Sequence, residues 1–160
     1  MPEAHDRAEG LAGAIYGTVL VAGVLATTSP DSDPHAGETA FYVIATVLVF
    51  WLAHAWALTL GHRAAGSSHG RRRVRHGLAR EWPLVQSAVL PLAALGLASL
   101  LGASDESAID IALWTCIAVL AGWGIAIGRR EEASRWRTAR IAAGCAALGM
   151  VMVALKTIAH

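Results

Sequence analysis

Residues 39–61 read TAFYVIATVLVFWLAHAWALTLG, a stretch without a single Asp, Glu, Lys or Arg. A helix rises about 1.5 Å per residue, so about 20 apolar residues cross a hydrocarbon core roughly 30 Å thick. The stretch is long enough to do this, and it is apolar on every face, which a soluble helix tolerates only inside a large core.

Working outward, the same pattern recurs. Residues 11–29, 82–104 and 111–128 also carry no charge. A fifth run, Ile141 to Leu155, is shorter. It reaches spanning length if its helix begins near Trp136 and ends at Lys156, whose long amine can extend toward the interface. The chain has 160 residues, 55% of them hydrophobic and 16% charged. That is too little volume to bury five such helices on all sides, which excludes a soluble bundle. The predicted fold is an all-α membrane protein, a single domain of five transmembrane helices in an antiparallel up-down bundle. The spans fall at about 11–29, 39–61, 82–104, 107–128 and 136–158, with a basic loop at 62–80. A four-span alternative leaves the last run as a surface helix. A signal-peptide reading of the first run fails, because Glu3, Asp6 and Glu9 against Arg7 give the wrong charge.

Charge sets the orientation. Lys156 is the single Lys, and the arginines concentrate in two connections: Arg63, Arg71, Arg72, Arg73, Arg75 and Arg80 in one, Arg129, Arg130, Arg135, Arg137 and Arg140 in the other. Both face the cytoplasm by the positive-inside rule. The connections at Pro30 to Glu38 and around Asp105 and Glu106 hold no Lys or Arg and face outward. The expected location is a bacterial inner membrane with the N-terminus cytoplasmic and the C-terminus external. Arg71, Arg72, Arg73 and Arg75 are expected to meet anionic lipid head groups, a partner that needs no folded module. Nucleic acid is not an expected partner, since no aromatic platform accompanies these arginines.

Pro30 and Pro34 close the first helix, and Pro91 is expected to kink the third span. Gly13 with Gly17, and Gly124 with Gly128, have the small-x-x-x-small spacing of close helix contacts. Five spans do not divide into the two halves of an inverted repeat.

Ionisable groups inside hydrocarbon are expensive, so they head the list of candidate functional residues. His54 lies about 22 Å of rise beyond Thr39, in the cytoplasmic third of the bilayer. Tyr16, Thr18 and Gln86 reach a similar depth, with Glu81 just below at the interface. Together these residues predict a polar pocket open to the cytoplasm that lines an ion or proton route or binds a small polar molecule. Imidazole suits proton exchange near neutral pH. The competing reading is that His54 makes one interhelical hydrogen bond and serves packing alone. Asp110, one turn inside the outer end of its span, is the candidate external mouth of such a route.

No cofactor or metal is expected. His62, His69 and His76 recur at equal spacing but stand among arginines that oppose a bound cation. Cys116 and Cys145 read as small packing residues. The sequence holds no HExxH or Gly-x-Ser-x-Gly motif and no paired carboxylates, so an enzyme is not expected.

The Ala-, Arg- and Gly-rich, Lys-poor composition resembles that of uncharacterised small integral membrane proteins of high-GC bacteria. Arg7-Ala8-Glu9 before an apolar helix, and Phe50-Trp51 followed by His54 in the next, are similar to bacterial relatives of the lysosomal potassium channel over the first two spans. The Phe-Ser-Asp motif of that channel's pore helix is replaced here by Leu11-Ala12-Gly13, so the resemblance assigns no pore residues. The polar pocket around His54 makes an ion or proton channel or a small transporter subunit the expected function, with an accessory or structural membrane subunit as the alternative. Assembly as a homo-oligomer is expected because five short helices enclose little volume alone.

Overall fold

A computed structural model describes residues 2–27, 35–64, 78–79, 81–132 and 134–159, with backbone only for 2–9, 58–59, 62–64 and 159. It is built from helices: α1 (Pro2–Thr27), α2 (Ala36–Ala64), α3 (Trp82–Gln86), α4 (Val89–Leu100), α5 (Asp105–Arg130) and α6 (Arg135–Ala159). Among the described residues, five stretches are long and apolar enough to cross a membrane: Gly10–Thr27, Ala36–Ala57, Trp82–Leu100, Asp105–Arg130 and Arg135–Ile158. The last apolar run is a helix of 25 residues lying along α5.

The third run is interrupted in its hydrogen bonding, although Ser87 and Ala88 keep right-handed helical dihedrals. Pro91 has no N–H to offer the carbonyl four residues back, and its ring crowds that carbonyl, which belongs to Ser87. The helix accordingly parts at Ser87 and Ala88, between α3 and α4. The Ser87 hydroxyl donates to the carbonyl of Leu84 at 2.6 Å, and the Ala88 N–H donates to Val85 at 3.2 Å, so both residues remain tied to the preceding turn.

Two features end α4 and start α5. Gly102 adopts a φ of 83°, which lets its N–H reach Ser99 and the Ala103 N–H reach Ala98, closing the last carbonyls of α4. Ser104 then caps α5 by accepting from the Ser107 N–H at 3.3 Å. Asp105 and Glu106 in its first turn, with Arg129 and Arg130 in its last, complement the helix dipole.

Glycine decides the closest contacts. A Cβ on Gly17 would meet the Leu84 carbonyl oxygen at 2.7 Å, and one on Gly13 would lie 3.8 Å from the Glu81 carboxylate, so α1 rests directly on α3. On α5, a Cβ on Gly124 would meet the backbone nitrogen of Ala142 at 2.9 Å, and one on Gly128 would strike Thr138. Further along, a Cβ on Gly149 of α6 would press on Ile117 at 2.8 Å. These pairs make α5 and α6 antiparallel over their whole length. The core sits among α1, α2, α4 and α5, where Val21, Leu25, Val43, Val47, Leu95 and Ile109 are buried.

Candidate functional site

The candidate polar residues are placed by three helices, and only two of them meet. His54 Nε2 on α2 lies 3.7 Å from Glu81 Oε2, at the residue that precedes α3. Glu81 is only 9% exposed, covered by α1 at Gly13, whereas the His54 side chain is 53% exposed. The local sequence makes this meeting possible. Pro83 near the start of α3 favours a helix beginning there, and Gly13 of α1 lies against the carboxylate, where an added Cβ would make ordinary contact at 3.8 Å. Nearby, the Trp51 indole donates to the Leu78 carbonyl at 3.0 Å and packs edge-on against Trp82 with ring centres 6.0 Å apart. α2 is thus joined to the entry of α3 by one imidazole and one indole.

The other expected pocket residues go elsewhere. Thr18 is fully buried, and its hydroxyl donates to the Ala14 carbonyl of its own helix at 2.8 Å. Tyr16 is half exposed and tilts against Phe50 with ring centres 6.4 Å apart. Gln86 is exposed. The reason is rotational. α1 turns Gly10, Gly13 and Gly17 toward α3, which carries Tyr16 about 100° away from Gly17, onto a different face. The groove that Tyr16 does line, with Leu20, Val24, Phe50 and Met152, encloses about 440 Å³ and is mostly apolar.

At the opposite end of the bundle, Asp110 is joined to a residue not placed among the candidates. Lys156 Nζ donates to Asp110 Oδ1 at 2.7 Å, and the lysine side chain is only 13% exposed. The signal was available in the sequence, because the two residues stand at equal distances from the α5–α6 turn and an antiparallel hairpin must bring them level. His35, just before α2, lies 3.4 Å from Asp105 at the same end.

No family model, curated protein or solved structure matches the chain.

Among the described residues no three His, Cys, Asp or Glu side chains converge as a metal ion would require. Cys116 and Cys145 are free thiols. The basic residues expected to meet lipid, Arg71, Arg72, Arg73 and Arg75, lie outside the described residues, as do His69 and His76. Among the described residues the arrangement offers the His54–Glu81 imidazole–carboxylate contact at the base of the third span, and Lys156–Asp110 and His35–Asp105 at the far end. Between them lies an apolar core.

Proposed function

We propose that this chain is a multi-pass membrane protein of the accessory or structural class, crossing an inner membrane five times in alternating directions. Its N-terminus lies in the cytoplasm and its C-terminus outside. One observation carries the reading: among the described residues, no buried side-chain nitrogen or oxygen lacks a partner. Thr18, Ser87, Ser99 and Thr115 return their hydroxyls to carbonyls of their own helices or turns, and Lys156 is held by Asp110. Polar groups used this way join or relieve helices, a role that needs no transported ion. No catalytic role is assigned, and assembly into a homo-oligomer is compatible with the reading.

The second reading is a subunit of an ion or proton channel or a small transporter, and the His54–Glu81 contact favours it. A carboxylate so little exposed, beside a half-exposed imidazole, can hold a proton in passage. Purified protein in liposomes decides between the two. The accessory reading expects proton and cation leakage equal to that of empty vesicles. Protein-dependent flux that falls on His54→Ala would overturn it in favour of the transport reading.

A further inference from the structure

The face of α6 turned away from α5 holds the feature that the bundle does not use. Thr138, Ala142, Gly149 and Lys156 point toward α5. At 100° per residue, Trp136, Arg140, Ala143 and Ala147 share the opposite side, and all four are exposed. Trp136 is 75% exposed. The neighbouring Arg137 is engaged by Glu131 at 3.4 Å, whereas Arg140 has no carboxylate within ion-pair distance among the described residues. Arg140 stands about 8 Å inside the end of the apolar segment that begins at Arg135. A guanidinium at that depth must reach out to an anion at the interface, and a phosphate accepts its paired N–H groups well.

We propose that this face of α6 binds one anionic phospholipid from the cytoplasmic leaflet, an inference that rests on the membrane-spanning reading above. Arg140 takes the phosphate, Trp136 sits at head-group level beside it, and an acyl chain lies along Ala143 and Ala147. Charge decides the occupant. A second copy docked in parallel about a two-fold axis on this face would set Arg140 against Arg140, while an anionic lipid neutralises it. The site is built from residues of α6 alone.

The test is native mass spectrometry of the detergent-purified protein, titrated with phosphatidylglycerol or phosphatidylcholine. Phosphatidylglycerol is expected to bind first and tighter, and Arg140→Gln to weaken that first binding about five-fold, the effect of one interfacial basic residue. Replacing Arg71, Arg72, Arg73 and Arg75 with Gln is expected to leave it intact, and millimolar inorganic phosphate is expected not to displace it. Equal binding of the two lipids, an unchanged Arg140→Gln variant, loss of binding in the loop variant, displacement by phosphate, or a dimer that Arg140→Gln dissolves would each overturn the proposal. Incorporation into lipid nanodiscs separates the levels. A chain that enters nanodiscs without lipid preference defeats this site alone, while one that stays soluble without detergent defeats the membrane reading as well.

Discussion

The α5–α6 hairpin and α2 are both long apolar helical elements, yet they are held by opposite means. In the hairpin, Gly124, Gly128 and Gly149 let backbones touch, and the Asp110–Lys156 pair fixes the far end. α2 presents Thr39, Val43, Val47 and Ala55 to the core and leaves Phe41, Leu48, Val49, Leu52 and Trp56 exposed. Its cross-links are single side chains, Trp51 to Leu78 and His54 to Glu81, with His35 just before it meeting Asp105. In lipid, where apolar burial gives little net drive between helices, close backbone packing is the stronger device. α5 and α6 are therefore expected to behave as one rigid unit, with α2 the more easily displaced element.

The largest break in that comparison comes from filling a glycine. Gly124→Leu drives a side chain into the backbone of Ala142 and is expected to destabilise the protein by about 3 kcal/mol. On α2 the exposed Ala53→Leu is expected to change stability by less than about 0.5 kcal/mol. Unfolding free energies in mixed micelles check both, and equal effects would erase the distinction. Next, Asp110→Ala strands the Lys156 amine and is expected to lose about 2 kcal/mol. That is below the loss for a fully buried pair, because the Asp110 side chain is 50% exposed. Adding Lys156→Met is expected to recover most of it, and a double variant as unstable as the single one would refute a pairing role.

Trp51→Phe keeps one aromatic ring but removes the N–H to Leu78 and part of the surface packed against Trp82, with an expected loss of about 1 kcal/mol or more in the same assay. No change would mean that this indole bond does not hold α2. The last effect is a gain. Glu132, past the end of α5, has a φ of 49°, which strains any residue with a Cβ. Glu132→Gly is expected to stabilise the hairpin by about 1 kcal/mol, and a loss would show that the Glu132 side chain contributes more than its backbone strain removes.

Charge-free runs made the five apolar helices legible, because length and composition alone determine what can cross hydrocarbon. Pro91 marked the interruption in the third, though only the register four residues back locates it at Ser87. The glycine pairs announced close contact without naming partners, which the hairpin geometry supplies. For the candidate site, depth was readable and rotation was not. Rise per residue brought His54 and Glu81 to a common level, but it could not tell that Gly13 and Gly17 claim the α3-facing side of α1 and turn Tyr16 away. Nor could it tell that the Thr18 hydroxyl returns to Ala14. Lys156, expected to extend toward the interface, is instead engaged by Asp110, a pairing that follows only once α5 and α6 are in register.

The central claim is five crossings, an odd number that puts the two ends of the chain on opposite sides of the membrane. Fusing alkaline phosphatase or green fluorescent protein after His160, in a bacterial inner membrane, tests it directly. The account predicts active phosphatase and a dark fluorescent fusion. Bright fluorescence with inactive phosphatase would place that end in the cytoplasm and contradict it.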